Sequence, residues 1–175
     1  MKTVSLLFGC AALGLAACAA DGMDDAVQAP SAAERTPTSA MPYISAAGAS
    51  DMYEIESSRL ALQKAASPDI RRFAQMMIDH HTQTTNSVTT AARSAGLTPP
   101  PPRLMEPQQR MMEALQPLSG EAFDRLYTQQ QRQAHDMALA LHQTYSESGD
   151  TPELRQAADA AVPIIRQHIQ ALQQM

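Results

Sequence analysis

Three histidines and one glutamate have the residue types and positions of a metal site. His81 and His168 fall on the predicted buried faces of two helices, His135 lies one turn after Gln131 on a third, and Glu54 lies at the edge of the buried face of a fourth. Aliphatic residues would pack better at such positions. Imidazoles and a carboxylate from different helices are ligands for zinc, iron, manganese or copper. The pattern predicts a transition-metal site and leaves the identity of the metal open.

The distances of these residues from the ends of their helices support a single site. At about 1.5 Å per residue, Glu54 lies about 18 Å before the first helix ends, and His81 about 20 Å after the second begins. His135 lies about 20 Å before its helix ends, and His168 about 24 Å after the last helix begins. We therefore expect all four groups to meet near the middle of the helices.

Other polar residues near this level have different predicted roles. Gln131 and Asp124 precede His135 by about one and three turns on the same face, so both are candidates for orienting the metal ligands. His80 and His142 fall away from the cluster, and we expect both at the rim or in solvent. The alternative for each buried histidine is a core residue whose hydrogen bonds are satisfied by the protein.

The chemistry of other metal sites has weaker support in the sequence. Met76 and Met77 precede His80 and His81 by one turn, and with Met111 and Met112 they could form a soft site for monovalent copper. Methionine at helical spacing more often fills gaps in a core. The chain lacks the Glu-x-x-His pairs of di-iron bundles, and it shows no activated nucleophile, so no catalytic residue is predicted.

The elements that must position these residues are helices. Long glycine-free stretches rich in Ala, Leu, Met, Gln and Arg follow Ala46, and there is no strand pattern. Helix starts are predicted at Pro68, Ser119 and Pro152, and ends at Gly96 and Gly149. With a short helix over 107–115, this predicts an all-α antiparallel four-helix bundle with one short helix between the second and third long helices.

Spacing of three and four residues defines a predicted buried face for each long helix. Pro163, within the last helix, should kink it just before His168. The four predicted faces are Ile55, Ser58, Leu62 and Ala65; Ile70, Ala74, Met77, His81, Thr84, Val88, Ala91 and Ala95; Phe123, Tyr127, Gln130, Ala134, Met137, Leu141 and Tyr145; and Leu154, Ala157, Ala161, Ile165, His168, Leu172 and Met175.

The first residues resemble an export signal that ends in a lipoprotein cleavage motif. Lys2 precedes an apolar run, and the motif 15–18 (Leu-Ala-Ala-Cys) predicts a signal peptide over 1–17 and acylation of Cys18. Ordinary cleavage near 17–20 is the alternative. Ala19 resembles the residue that directs lipoproteins to the outer membrane. Residues 18–45 are rich in Pro, Ser and Ala and predict a disordered tether, with the folded domain over 46–175.

Composition excludes several classes of function. The chain has 175 residues, with 13 Lys and Arg against 18 Asp and Glu, for a net charge of −5. Nucleic acid is therefore an unfavourable partner, since phosphate binding needs clustered cations. Two Cys cannot form a disulfide scaffold, and no apolar run reaches the roughly 20 residues of a membrane-spanning helix.

Several spaced motifs resemble the domain of unknown function 4142 family, a group of ferritin-like proteins of the bacterial envelope. The resemblance covers about 44–175 and implies a ferritin-like bundle with Glu54, His81, His135 and His168 as characteristic polar positions. It implies no established reaction. His80 departs from the family pattern, which has an acid there. The motifs are Tyr53-Glu54-Ile55, Leu60-Ala61, Ser67-Pro68-Asp69, Phe73-Ala74, Met77-Ile78-Asp79-His80-His81-Thr82, Phe123-Asp124, Tyr127, His135 and Pro163 to His168.

These observations lead to one main hypothesis and two alternatives. The main hypothesis is a lipid-anchored envelope protein that faces the periplasm, attaches to the membrane through its lipid, and binds a transition metal for storage, buffering or stress protection. The first alternative is a non-catalytic structural or partner-binding module without metal. The second is an enzyme with an open metal position, which would need a substrate pocket.

Overall fold

The computed structural model describes residues 36–175; the predicted signal peptide over 1–17 and Cys18 lie outside this range. The described residues form five helices and no strand, which confirms the all-α prediction. None of these helices combines the length and apolar character needed to cross a membrane. The helices are α1 (Ala40–Lys64), α2 (Pro68–Ser94), α3 (Glu106–Leu115), α4 (Gly120–Ser148) and α5 (Pro152–Gln173).

Local sequence signals set the helix boundaries after α1. The side chain of Ser67 accepts hydrogen bonds from the backbone N–H groups of Asp69 and Ile70, and Pro68 occupies the first turn of α2. Gly96 follows α2 with a φ of 76°, a conformation that favours glycine. The helices α2 and α5 begin at Pro68 and Pro152, so the starts predicted for both are confirmed.

The helix α1 begins at Ala40, so the prediction of a tether extending to residue 45 is wrong for residues 40–45. Tyr43 and Ile44 are buried in this first part of α1, and the ring of Tyr43 stacks on Tyr145 with centroids 3.7 Å apart. Pro42 is compatible with the first turn of a helix. Two large buried side chains outweigh the Pro- and Ser-rich composition on which the tether prediction relied.

The buried face of α1 also differs from the predicted one. Ile55 is half-buried and Leu62 is 37% exposed, whereas the buried line runs through Ala47, Asp51, Glu54, Ser58 and Ala61. Ser58 and Ala65 are buried as predicted, but Ile55 and Leu62 are not, because the middle of the buried line is polar and apolar spacing does not reveal it. On α4 and α5, Met137 and Met175 are likewise exposed although they were predicted to be buried.

Hydrogen bonds at the two ends of α1, each between a helix residue and a residue of a connecting segment, fix the direction of α1 relative to α4. The carboxylate of Asp150, after α4, accepts from the N–H of Ala40, at the start of α1. The carboxylate of Asp124, near the start of α4, accepts from the N–H groups of Ala66 and Ser67, just after α1. The two helices therefore run antiparallel. Around them, α1 also packs on α2, α5 packs on both α2 and α4, and α3 contacts α1 and α4.

The core has apolar ends and a polar middle. Along α1, α2 and α4, buried apolar residues flank buried polar residues near mid-length, and in α5 the buried His168 lies between Ile165 and Leu172 in the second half of the helix. One apolar cluster contains Tyr43, Ile44, Val88, Leu141, Tyr145 and Leu154. The other contains Ile70, Phe73, Met77, Phe123, Tyr127 and Leu172. The buried polar residues between them are Asp51, Glu54, Ser57, Ser58, His81, Thr84, Gln130, Gln131, His135, His142 and His168.

Candidate metal centre

Three helices bring His81, His135 and His168 together in this polar middle, and we call these residues the histidine cluster. All three side chains are buried, and one nitrogen of each lies within 4.8 Å of the other two. The closest pair is Nε2 of His135 and Nδ1 of His168, at 3.2 Å. The ring centroids are 5.2 to 5.6 Å apart. The sequence prediction that these residues meet at one level agrees with this geometry.

His81 is oriented by Asp51 of α1, a residue that the sequence analysis missed. Its Nδ1 lies 2.8 Å from Oδ1 of Asp51, whose Oδ2 accepts from the hydroxyls of Thr84 and Thr85. Burial disfavours the charged ring, but the hydrogen bond and charge of Asp51 outweigh it and raise the pKa of His81. With Nδ1 engaged, the buried Nε2 has no hydrogen-bond partner and is the nitrogen available to a metal.

His135 is oriented by its own helix. Its Nδ1 lies 2.8 Å from the backbone carbonyl oxygen of Gln131, one turn earlier in α4. A carbonyl can only accept, so Nδ1 carries the proton and donates. In a neutral ring, the lone pair is therefore on Nε2, the atom next to His168.

His168 is held between two other imidazoles. Beyond its contact with His135, its Nε2 lies 2.8 Å from Nδ1 of His80, and these two rings stack with centroids 5.1 Å apart. His80 is half-buried, so the expectation that it lies at the rim or in solvent misses this contact. Burial, followed by the neighbouring histidines, lowers the pKa of His168 to about 2, which keeps the ring in the neutral form that binds metals.

Glu54 lies beside the histidine cluster and not within it. Its side chain is fully buried, and Oε1 lies 3.6 Å from Nδ1 of His135. Neither carboxylate oxygen has a hydrogen-bond partner. A buried carboxylate without donors is costly unless a cation lies close to it. The structure thus places Glu54 next to the predicted site, with no hydrogen-bond donor at either carboxyl oxygen.

The two residues predicted to orient the ligands have different positions. Gln131 is buried, contacts His135 through its carbonyl, and donates from its side chain to Ser57 at 3.0 Å. Asp124 lies about 16 Å along α4 from His135, at about 1.5 Å per residue. Both oxygens of Asp124 accept from backbone N–H groups after α1. The prediction that Asp124 assists the site is therefore wrong, because it caps a helix junction instead.

His142 is buried, so its predicted position at the rim is wrong. Its Nδ1 lies 3.0 Å from the hydroxyl of Tyr43, and burial lowers its pKa to about 4. Met77 packs in the apolar cluster with Phe73, and Met112 packs with Tyr53. These contacts favour the packing role of the two methionines over the soft copper site that the sequence left open.

The histidine cluster fits the requirements of a transition-metal ion. Two imidazole nitrogens bound to one tetrahedral ion at about 2.0–2.1 Å lie roughly 3.3 Å apart, and His135 and His168 present theirs at 3.2 Å. Metal-binding histidines usually donate their second nitrogen to an acceptor. Here Asp51, the Gln131 carbonyl and His80 lie at hydrogen-bond distance from those second nitrogens.

Comparisons with known proteins agree with this fold. Two solved structures are similar, "CopM in the Cu(II)-bound form" with 19% identity and a TM-score of 0.64, and "CopM in the Ag-bound form (by co-crystallization)" with 20% identity and a TM-score of 0.63. Both cover 78% of this chain, and the matches span 94% and 93% of those chains. No curated protein matches. The family described as "Domain of unknown function (DUF4142)" matches residues 25–175, and the chain belongs to this family.

Proposed function

We propose that this protein binds a transition-metal ion through His81, His135 and His168, with Glu54 supplying negative charge beside the ion. The observation that carries the proposal is the convergence of three buried imidazoles, each with its second nitrogen at hydrogen-bond distance from a further group. Such sites suit zinc, copper or iron. The protein would store or buffer the metal, or protect the envelope from it.

Two further observations support this proposal. The similar solved structures are titled as copper- and silver-bound forms, so copper is the first metal to test. The cyclic packing of α1, α2, α5 and α4 is consistent with a ferritin-like antiparallel four-helix bundle in which α3 belongs to the connection between α2 and α4. Bundles of this kind place metal ligands on facing helices at mid-length.

Metal uptake by the purified protein tests the site directly. The protein is stripped of metal, incubated with Cu(II), Zn(II), Fe(II) or Mn(II), separated from free metal, and analysed for bound metal per chain. We expect about one ion per chain, and loss of binding in a variant with His81, His135 and His168 all changed to Ala. His142→Gln, which alters a buried histidine outside the cluster, is the matched control. Wild-type protein that takes up no ion stoichiometrically would refute the proposal.

We also propose that a lipid on Cys18 anchors the protein to the outer membrane, facing the periplasm. The support is the motif at 15–18, together with Ala19 after the cysteine. Mass spectrometry of the mature N-terminus should find an acylated Cys18, and Cys18→Ser should release the protein from the membrane fraction. An unmodified N-terminus at another residue would contradict the anchor without affecting the metal site.

A non-catalytic structural or partner-binding module is the second candidate function. The observation in its favour is that His80, His168 and His135 already contact one another as a chain that ends on the Gln131 carbonyl. In a chain of neutral imidazoles, each ring can donate one hydrogen bond and accept another, so the ring nitrogens that face each other are satisfied without a metal. Under this function, the triple alanine variant loses stability, and the wild type binds no ion.

A further inference from the structure

Two carboxylates lie buried around the histidine cluster, and their charge bears on which ion the proposed site would take. Asp51 is 3% exposed and Glu54 is fully buried. Asp51 accepts hydrogen bonds from His81, Thr84 and Thr85, a pattern suited to an ionised carboxylate. Glu54 receives no hydrogen bond at either oxygen.

No lysine or arginine of residues 36–175 compensates these charges. The ion pairs of Asp51 and Glu54 within 4.0 Å involve only His81 and His135. The basic side chains that form ion pairs do so on the surface, as Arg59 does with Glu56 and Arg125 with Glu121. Others donate to backbone carbonyls, as Arg71 and Arg132 do. When both carboxyls are ionised, compensation must therefore come from the imidazoles or from a bound cation.

We infer that the buried charge of Asp51 and Glu54 makes this site selective for a divalent ion over a monovalent one. This inference rests on the proposed function of the same site. Three neutral imidazoles, two carboxylates and one divalent ion sum to zero charge, whereas a monovalent ion leaves one negative charge buried. Uncompensated charge in a protein interior is strongly unfavourable.

The test compares Zn(II) with Ag(I), two probes that differ in charge and do not change oxidation state. Dissociation constants are measured for wild type, Glu54→Gln and Asp51→Asn in chloride-free buffer. Coulomb energy scales with the product of the charges, so the logarithm of the affinity loss should be about twice as large for Zn(II). We expect each variant to weaken Zn(II) about 100-fold and Ag(I) about tenfold. Glu147→Gln, which neutralises an exposed carboxylate, should change neither.

The possible results separate this inference from the proposed function. Equal losses for both ions, or no loss for either, would overturn the charge-based selectivity while leaving the metal site intact. Stoichiometric binding of Ag(I) without Zn(II) by the wild type would do the same. If the wild type binds neither ion, nor Cu(II), Fe(II) or Mn(II), both proposals fail. Circular dichroism checks that each variant folds. If one variant does not fold, the other still reports the ratio of the Zn(II) affinity loss to the Ag(I) affinity loss.

Discussion

Nε2 of His168 lies 2.8 Å from Nδ1 of His80, so a half-buried imidazole orients a buried one. If His168 binds a metal through Nδ1, its Nε2 carries the proton and donates to His80. The remaining candidate ligands have equivalent supports, the carboxylate of Asp51 for His81 and the Gln131 carbonyl for His135. Of the three supports, only His80 lies partly at the surface, where it can be changed with little effect on the core.

Changing His80 to Phe should weaken metal binding while preserving the fold. Phenylalanine keeps the ring that stacks on His168 but cannot accept its hydrogen bond. Loss of such a partner typically lowers metal affinity by about 10- to 100-fold. Titration calorimetry with Zn(II) measures the change. His80→Asp, which restores an acceptor, should lose less; equal affinities of wild type and His80→Phe would show that His80 does not orient the ligand.

Bound metal should stabilise the protein against heat. An ion that binds only the folded state adds about 2.7 kcal/mol at a free concentration 100 times its Kd. For a domain of this size, that corresponds to a rise in Tm of roughly 5–10 °C. Scanning calorimetry with and without Zn(II) measures the shift, and EDTA should reverse it. The triple alanine variant should show no shift; a similar shift in that variant would locate the binding elsewhere.

His142 should make the protein less stable as the pH falls from about 6.5 to about 4. Its pKa is lowered to about 4 in the folded protein, against 6.5 for the free group, so the unfolded state binds more protons between these values. Stability therefore rises with pH across this window. Across the whole window, the free energy of unfolding should change by about 3 kcal/mol. Urea unfolding at several pH values measures the slope.

The variant His142→Gln isolates this contribution, since glutamine does not titrate. Its stability should depend less on pH between about 4 and 6.5 than that of the wild type, even if it is lower overall. Parallel slopes in the two proteins would mean that other groups cause the pH dependence.

Gly149, between α4 and α5, should not tolerate a side chain. A Cβ there would lie 2.5 Å from the ring and 2.6 Å from the carbonyl oxygen of Tyr145. Tyr145 stacks on Tyr43, so the clash would disturb that contact as well. We expect Gly149→Ala to lower the free energy of unfolding by about 1–3 kcal/mol.

The matched substitution is Gly48→Ala, in the middle of α1. Its Cβ would meet Pro102 at 3.4 Å, an ordinary contact, and alanine favours a helix by up to about 1 kcal/mol over glycine. Chemical denaturation of both variants compares them. Equal stability of the two alanine variants would contradict the steric argument.

The sequence predicted α2 and its histidine well because the pattern there is local. Ile70, Met77 and Val88 mark an apolar stripe with unambiguous spacing, and His81 falls on it. Pro68 and Gly96 set the ends by the backbone conformations they favour. Periodicity along one helix thus sufficed to place a candidate ligand, His81, on its buried face.

The sequence could not place α1 in the same way because its buried face is polar. Asp51 and Glu54 occupy positions where the pattern calls for aliphatic residues, and the side chains that hydrogen-bond to Asp51 lie on another helix, α2. His142 was predicted at the rim because it lies two turns beyond His135. Its buried partner, Tyr43, lies in the part of α1 that was predicted to be a tether, so nothing in the local pattern indicated that contact.

The polar middle of the core places ionisable side chains where the architecture would also accept apolar ones. Replacing buried ionic groups by well-packed apolar ones is often neutral or stabilising. A sequence with leucine at the three histidines and at Glu54 could therefore melt at a higher temperature and still adopt these helices. That sequence would also lose the four residues of the proposed metal site. If the site binds an ion as proposed, the polar middle of the core lowers the stability of the apo protein in return for a place to bind a ligand.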